Sequence, residues 1–238
     1  MDNQKHVILT FDDGFAAQFD IARPLLKKYG FTATFFICGA FIDHPYLKHT
    51  FMKWDQLPIL VGEGFELGSH LYQHFAMIDP NINHFANIKK LEHTFKHHRL
   101  PKPVTLSYPG YHVDASAIKV VRSAGYKFAR AGCEQSAEFD DFQDGGGGPH
   151  YDFIHDNPWN VNCTGIFGST YGYEEFVSSL QIIEPGEIPV YCIHSFHGHG
   201  IEGAPQTDIS PNTFERCLQY LKDNNYTPIR FRDIESIV

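Results

Sequence analysis

The sequence predicts an α/β fold in which parallel strands form a barrel and helices cover its outside. Short apolar, β-branched segments alternate about seven times with segments whose apolar residues recur every three or four positions. Short connections between them favour parallel strands joined by crossover helices. The length of 238 residues is close to the ~250 residues of a typical α/β barrel, and no repeat or linker divides the chain. We therefore expect one domain over residues 1–238 and a sheet of seven or eight strands.

The composition narrows the range of partners and compartments. Hydrophobic residues make up 42% of the chain, which is enough for a large core. A formal net charge of −9 argues against a nucleic-acid or anionic-membrane partner, and no apolar run approaches the ~18 residues of a membrane span. The chain start lacks the apolar centre of a signal peptide, and the five scattered cysteines are typical of free thiols in a reducing compartment. We expect a cytoplasmic protein if the chain is full length, and its oligomeric state stays open.

Residue spacing assigns the elements of the first half of the chain. An apolar first strand over 7–11 precedes a helix over 17–29 that should end at Gly30. Pro24 predicts either a kink in that helix or a helix that starts near the proline. Asp114 is a good N-cap for a helix over 114–124. The remaining expected elements are helices over 50–61 and 81–98 and strands over 32–37, 64–69, 104–108 and 127–131.

The second half begins with a segment that has no clear period. Residues 132–170 contain the glycine run 145–148, which no strand precedes and no lysine-led helix follows. We therefore interpret the segment as a loop and not as a phosphate cradle. The alternation then resumes, with helices expected over 173–183, 212–224 and 233–238 and strands over 188–194 and 226–231.

Two adjacent carboxylates follow the first strand. Asp12 and Asp13 come directly after the apolar residues 7–11, and Gly14 follows them. Neighbouring carboxylates at the end of a buried strand are costly unless they share a cation or a proton. Asp-Asp-Gly is also a common turn sequence, so these residues alone leave both interpretations open.

A pair of histidines follows the third strand. His70 and His74 are four residues apart, which places both on one face of a helical turn at the end of the barrel that holds the aspartates. Two histidines and one carboxylate form a ligand set for a catalytic zinc or a similar divalent metal ion. His93 and His97 have the same spacing but follow no strand, so we interpret them as a solvated helix face.

A further histidine ends a later strand. His194 can point toward the same end of the barrel, either as a packed core histidine or as the proton donor to a leaving group. His197 and His199 come next in the chain. Three interpretations of these two histidines stay open: a second metal site, an alternative catalytic acid, and ordinary loop residues.

These motifs resemble, in order, those of the polysaccharide deacetylase family, which is carbohydrate esterase family four and carries the NodB homology domain. The resemblance covers nearly the whole chain and rests on Thr10-Phe11-Asp12-Asp13-Gly14, on Ser69-His70-Leu71-Tyr72-Gln73-His74, on Tyr108-Pro109-Gly110 and on the strand ending in His194. It implies an irregular (β/α) barrel, often of seven strands. It also implies metal-dependent removal of acetyl groups from N-acetylated sugars.

The resemblance further implies a role for each site residue. Asp12 is then the general base and His194 the acid, while Asp13, His70 and His74 hold one divalent metal ion. Zinc is the expected metal, with cobalt, nickel or manganese as alternatives, and the substrate is an acetylated polysaccharide or oligosaccharide. The alternative functions are an O-acetyl esterase of the xylan type and a catalytically silent carbohydrate-binding relative. The intact metal ligands argue against the silent relative.

One position departs from the family pattern. Ser107 stands where the third family motif has an arginine that orients the catalytic base. Arg130 should end the neighbouring fifth strand, and its planar guanidinium can grip a carboxylate in two places. We therefore predict that Arg130 contacts Asp12. The alternative is a surface arginine paired with Glu134 or Asp140.

Substrate contacts are less well defined, because the fourth family motif, built around an aromatic residue, is not recognisable. Tyr111, Trp159 and Phe139 are candidates for stacking against a sugar ring, although each can equally belong to the core. Gly110 has no side chain, so a substrate can approach its backbone closely. Its N–H is the expected donor to the oxyanion.

Overall fold

The computed structural model describes residues 4–44, 50–132, 150–152, 155–197, 199 and 207–237. Numbered in chain order, eight of the strands found there form one parallel sheet: β1 (Lys5–Phe11), β2 (Thr34–Ile37), β3 (Glu66–Ser69), β4 (Thr105–Ser107), β5 (Phe128–Arg130), β7 (Gly165–Ile166), β9 (Val190–Ile193) and β12 (Tyr226–Ile229). The other four form two small sheets, in which β6 (Tyr151–Asp152) pairs with β8 (Glu187–Ile188) and β10 (Ser195–Phe196) pairs with β11 (Asp208–Ile209).

Six α-helices connect the strands within the same residues. They are α1 (Arg23–Tyr29), α2 (Leu57–Gly62), α3 (His84–His97), α4 (Ala115–Ser123), α5 (Tyr173–Leu180) and α6 (Pro211–Asp223). Over the part of the chain that the structure describes, none of them combines the length and the apolar character needed to cross a membrane.

The parallel sheet is closed into a barrel by the segment that precedes β7. The strands lie in the order β5–β4–β3–β2–β1–β9–β7, and β12 pairs with the first half of β1. Val161 donates its N–H to the Ala129 carbonyl at 2.9 Å, and Cys163 donates to the Gly132 carbonyl at 2.8 Å. This segment therefore joins the outer strands β5 and β7. We call the end where the parallel strands finish the mouth and the end where they begin the floor.

The central strand β1 is buried on both faces, as its continuous apolar run predicts. Val7, Leu9 and Phe11 pack in one cluster with the outer helices, and the Phe11 ring meets Phe214 of α6 edge to face at 5.9 Å. Ile8 points the other way and packs in a second cluster with residues of the barrel interior. Burial on both faces fixes β1 in the centre of the sheet, so the residues that follow it are held at the mouth.

The predicted elements of the alternating regions are present, with local differences at prolines and at the chain end. Residues 18–22 form a π-helical turn, and α1 begins at Arg23 with Pro24 in its first turn, where a missing N–H costs nothing. Gly30 ends α1 in a left-handed conformation with φ of 72°. Helix α2 is shorter than expected because Pro58 also lies in its first turn. The last segment is a 3₁₀ helix over Phe231–Ser236.

The prediction of a loop over residues 132–170 was incomplete. The described part of this segment contains β6, β7 and the stretch along β5 that closes the barrel, while the glycine run 145–148 lies outside the described residues. Strands of two residues show no measurable period in a sequence. Their position is decided by partners that lie far away in the chain, such as Tyr191 of β9 beside Gly165.

Candidate active site

The polar residues singled out at strand ends converge at the mouth. They are Asp12 and Asp13 after β1, His70 and His74 after β3, Ser107 at the end of β4, Arg130 at the end of β5 and His194 after β9. The carboxyl ends of parallel strands share one end of a barrel, so residues far apart in the chain meet there. Most of these side chains are deeply buried; Asp12 and Arg130 are both 0% exposed.

Three of these residues form a group that fits a metal ion. The Nε2 atoms of His70 and His74 each lie 3.5 Å from Asp13 Oδ1, and the three atoms lie within 4.8 Å of one another. Asp13 Oδ1 is buried and has no hydrogen-bond partner among the described residues. A carboxylate oxygen in that position is costly to bury unless a cation accompanies it.

The protonation state of His70 also suits a metal ligand. Its Nδ1 lies 2.9 Å from the Ser107 carbonyl, which can only accept, so Nδ1 carries the hydrogen and Nε2 presents its lone pair toward Asp13. Burial lowers the pKa of His70 to about 4, although the charges of Asp12 and Asp13 oppose this shift. The imidazole is therefore neutral near pH 7, as a metal ligand must be.

Asp12 is held differently, by a cation and a hydroxyl on one oxygen only. Its Oδ2 accepts hydrogen bonds from Arg130 Nη2 and from Ser107 Oγ, the latter at 3.2 Å. Its Oδ1 has no partner within the described residues. Burial alone would raise the pKa of Asp12, but the Arg130 guanidinium together with the charges of His70 and His194 outweighs burial and holds that pKa well below its usual range. Asp12 is thus an ionised carboxylate with one free oxygen.

Arg130 reaches Asp12 through the space left by the small Ser107 side chain. Arg130 on β5 lies directly beside Ser107 on β4, and Arg130 Nη2 also donates to Ser107 Oγ. Arg130 Nη1 donates to the Ala131 carbonyl at 3.2 Å and contacts Cys163 Sγ at 2.9 Å. Arg130 is fully buried, so the alternative of a surface arginine is wrong. Its two suggested acidic partners, at positions 134 and 140, lie outside the described residues.

His194 lies on the Oδ2 side of Asp13, and among the described residues only one of its ring nitrogens, Nε2, has a hydrogen-bond partner. Its Nδ1 is 3.7 Å from Asp13 Oδ2, and its Nε2 forms a hydrogen bond with the Tyr111 hydroxyl. Burial lowers the pKa of His194, but the nearby groups outweigh burial and raise it. Burial keeps the Cys192 thiol neutral by raising its pKa, so we attribute the rise at His194 to the carboxylates of Asp13 and Asp12.

A buried glutamine that no sequence signal marks ties the two halves of the site together. Gln18 is 0% exposed, and its Nε2 donates to the backbone carbonyls of Asp12 and His194, the latter at 2.7 Å. These carbonyls belong to the ends of β1 and β9. Gln18 therefore fixes the distance between the two strand ends, a role that only the three-dimensional pairing reveals.

Trp159 does not lie at the mouth. Its indole N–H donates to the Tyr126 carbonyl at 2.8 Å, and the Arg122 guanidinium covers its ring at 4.4 Å. Tyr126 precedes β5 and Arg122 lies in the last turn of α4, so the indole packs beside the floor half of β5. The interpretation of Trp159 as a sugar-stacking residue is therefore corrected to a packing residue.

The other candidate residues divide between the mouth and the surface. Tyr111 lies at the mouth, and Gly110 precedes it in a left-handed conformation with φ of 66°. His197 and His199 are exposed, and neither belongs to a metal-binding group among the described residues. His93 and His97 are exposed on α3, which confirms the solvated helix face. Position 139, the remaining aromatic candidate, lies outside the described residues.

Known proteins share both the sequence pattern and the fold. Residues 1–129 match the family model described as polysaccharide deacetylase. The Bacillus subtilis (strain 168) protein YxkH, whose name assigns it to the polysaccharide deacetylases, is 30% identical over 129 residues, which are 52% of this chain and 44% of that protein. The match therefore spans less than half the length of this relative.

Two solved structures extend the likeness to almost the whole chain. The peptidoglycan deacetylase PdaC from Bacillus subtilis has a TM-score of 0.61 at 16% identity, covering 99% of this chain and 92% of that one. A family 4 acetyl xylan esterase from Clostridium thermocellum, solved with a cobalt ion, has a TM-score of 0.61 at 15% identity, covering 98% and 91%. At these identities the two structures establish the shared (β/α) barrel fold. Since the family model matches more than half of its residues, the chain belongs to the polysaccharide deacetylase family.

Proposed function

We propose that the protein is a metal-dependent hydrolase that removes acetyl groups from N-acetylated sugars of a polysaccharide or oligosaccharide. One observation carries this proposal: the group Asp13, His70 and His74 lies next to Asp12, an ionised carboxylate with one free oxygen. A metal ligand set and a separate base at the same end of the barrel are the parts that hydrolysis of an unactivated amide needs.

The donor atoms favour zinc among the divalent ions. Two imidazole nitrogens and one carboxylate oxygen leave coordination positions open, as catalytic zinc sites do, although cobalt, nickel and manganese suit the same donors. With a divalent ion held there, the pKa of a nearby water would fall toward ~7 and the carbonyl of the acetyl group would be polarised. Asp13, His70 and His74 would fix the position of that ion, and Gly110, in the turn after β4, would donate its N–H to the carbonyl oxygen.

Asp12 is suited to take a proton from the attacking water. Arg130 and Ser107 hold Oδ2, so that Oδ1 alone faces the reaction. A carboxylate beside a cation tends to bind that cation and lose its basicity. The guanidinium keeps Asp12 in place, and the charge of Arg130 keeps it ionised at neutral pH.

His194 is suited to give a proton to the leaving group. It lies 3.7 Å from Asp13 and thus next to the metal ligands, and the carboxylates around it favour the protonated imidazole. An amine leaves an amide only when its nitrogen is protonated. An acid at this position therefore supports the amide as the substrate bond.

Hydrolysis of an O-acetyl ester is the second candidate. It is supported by one of the solved relatives with this fold, which is an acetyl xylan esterase. The same metal ligands and base would serve both reactions, so the substrate decides between them.

Acetate release separates the two candidates. The metal-stripped protein would be given zinc and assayed on N-acetylglucosamine oligomers and on acetylated xylan oligomers, with Asp12→Asn as the inactive control. We expect zinc-dependent acetate from the N-acetylated substrate, with one free amine for each acetate. Acetate from xylan alone would establish the esterase instead, and no acetate from either substrate by the zinc-loaded protein would contradict both.

A further inference from the structure

We propose that Tyr111 is a positioning residue that fixes the orientation of the His194 imidazole; the proposal rests on the proposed function of His194 as the proton donor. The Tyr111 hydroxyl is hydrogen-bonded to His194 Nε2, and the two rings meet edge to face at 5.8 Å. With Nε2 held there, Nδ1 lies 3.7 Å from Asp13 Oδ2 and faces the metal ligands. Tyr111 thereby selects which ring nitrogen is presented to the reaction.

The backbone around Tyr111 is shaped to direct its side chain into the mouth. Gly110 and Tyr111 both adopt left-handed conformations, with φ of 66° and 65°. A residue with a Cβ rarely adopts this conformation, and it persists where the surroundings hold it. The Tyr111 N–H donates to the Tyr108 carbonyl at 2.9 Å and closes the turn. Two successive left-handed residues thus turn the chain after β4 so that Tyr111 points toward His194.

Gly132, two residues after the neighbouring strand β5, makes room for the tyrosine. A Cβ at Gly132 would lie 2.9 Å from Tyr111 Cβ, closer than such atoms approach in proteins. The Tyr111 ring also lies 5.5 Å from the Arg130 guanidinium, and its hydroxyl is 3.7 Å from Cys192 Sγ. Tyr111 therefore lies between the arginine that holds the base and the histidine that serves as the acid.

The proposal predicts a loss that depends on the leaving group. As the C–N bond of the amide breaks, the imidazole proton passes to the departing nitrogen, and this transfer requires a correctly oriented ring. The 4-nitrophenolate of 4-nitrophenyl acetate leaves without a proton. A positioning defect at His194 should thus slow the amide and spare the aryl ester, whereas general damage to the fold or the metal site slows both.

Tyr111→Phe tests this, with Tyr108→Phe as the matched control. Tyr108 is the other tyrosine of the same turn, and its buried hydroxyl donates to the Trp159 carbonyl at 2.8 Å, away from His194. In the zinc-loaded protein we expect Tyr111→Phe to lower kcat on the N-acetylated substrate by about tenfold or more, with KM and aryl-ester hydrolysis within about twofold. Tyr108→Phe should leave the ratio of the two rates unchanged.

Two further measurements keep the proposal independent of any one substrate. Gly132→Ala should push Tyr111 aside and give the same selective loss. The imidazole ¹⁵N resonances of His194, assigned with His194→Gln, should shift in Tyr111→Phe and not in Tyr108→Phe. Equal loss on both substrates, or unchanged ¹⁵N resonances, would overturn the positioning role. Because the resonances need no substrate, a wild type that releases no acetate would contradict the proposed function without deciding this contact.

Discussion

Two carboxylates are buried at opposite ends of the same barrel and have different partners. Asp12 lies at the mouth, is 0% exposed and shares its Oδ2 with the Arg130 guanidinium. Glu66 begins β3 at the floor and is 2% exposed. It accepts hydrogen bonds from the hydroxyls of Thr34 at 2.8 Å and Thr105 at 2.7 Å and from a backbone N–H at 3.0 Å. All three of these donors are neutral.

The difference between the partners reverses the effect of burial. Burial raises the pKa of Glu66; its three hydrogen bonds and the smaller effect of the Arg232 charge lower it by less, so the net direction is upward. At Asp12 burial acts in the same sense, but the charge of Arg130, joined by those of His70 and His194, outweighs it and the pKa falls. A buried carboxylate with good hydrogen bonds is therefore not yet a usable base. The guanidinium is what keeps the carboxylate at the mouth ionised, whereas the carboxylate at the floor ties β2, β4 and the C-terminal 3₁₀ helix together.

The largest expected effect concerns the metal ligands Asp13, His70 and His74; within the part of the chain that the structure describes, such groups are found at the mouth and not at the floor. His70→Ala and His74→Ala should each lose bound zinc, because two ligands cannot hold the ion at the affinity of three. The matched controls are His93→Ala and His97→Ala, which remove the exposed pair of equal spacing on α3. Metal content after dialysis, measured by atomic emission, checks this. Full occupancy in both site variants would mean that the ligand assignment is wrong.

The second prediction compares the two carboxylates directly. Asp12→Asn removes basicity with little change of shape and should reduce activity by at least ~100-fold while zinc is retained. Glu66→Gln is the equivalent change at the floor and should leave activity within about threefold, since the hydrogen bonds of that side chain among the described residues join it to floor residues. Acetate release and metal content would be measured on the same preparations. Loss of metal in Asp12→Asn would show that the roles of Asp12 and Asp13 are exchanged.

The third prediction concerns a substitution that leaves the carboxylate at the mouth with a neutral donor, like the carboxylate at the floor. Arg130→Met removes the cation and keeps the bulk, so Asp12 is left with the Ser107 hydroxyl as a neutral donor. Breaking a buried ion pair on one side should lower the free energy of unfolding by about 3–5 kcal/mol. Activity should fall while zinc stays bound. Urea denaturation and acetate release measure the two effects.

The control for this change is Arg122→Met, which removes an exposed guanidinium from α4. It should change stability by no more than about 1 kcal/mol, as expected for a surface cation. The double variant with Asp12→Asn and Arg130→Met should recover part of the stability lost by Arg130→Met, because no unpaired charge stays buried. Full stability and full activity in Arg130→Met would show that Arg130 does not support the base.

The sequence was informative about site residues that lie at the ends of strands. Asp12, Asp13, His70 and His74 could be placed together because parallel strands finish at one end of a barrel, and the same rule placed Arg130 near Asp12. The hydrogen bond between Tyr111 and His194 could not be predicted, since it depends on the left-handed backbone conformations of Gly110 and Tyr111 and on the space at Gly132.

The errors have physical causes as well. An aromatic residue beside Asn-Pro has no sequence signal that separates stacking on a sugar from packing, so Trp159 was misplaced. Glu66 was not singled out because a glutamate at a strand start usually faces water. Its burial follows from the C-terminal segment that covers the floor, and that contact joins residues 166 positions apart.

The smallest expected effect is a pair of opposite pH dependences of stability. Asp12 has a lowered folded-state pKa, so the stability it contributes is present above its ordinary pKa of about 3.9 and is lost as pH falls toward the folded-state pKa. Glu66 has a raised folded-state pKa, so its contribution is present below its ordinary pKa of about 4.3 and is lost as pH rises through the folded-state pKa. A folded-state pKa that differs by one from the unfolded-state pKa changes the free energy of unfolding by about 1.4 kcal/mol.

Glutamine and asparagine do not titrate, so the two variants isolate these contributions. The stability of the metal-free wild type relative to Glu66→Gln should decrease as pH rises from about 4 to 7. The stability of the metal-free wild type relative to Asp12→Asn should instead decrease as pH falls below about 4. Urea denaturation at fixed ionic strength over this range gives both slopes. Two slopes of the same sign would mean that Arg130 does not distinguish the carboxylate at the mouth from the one at the floor.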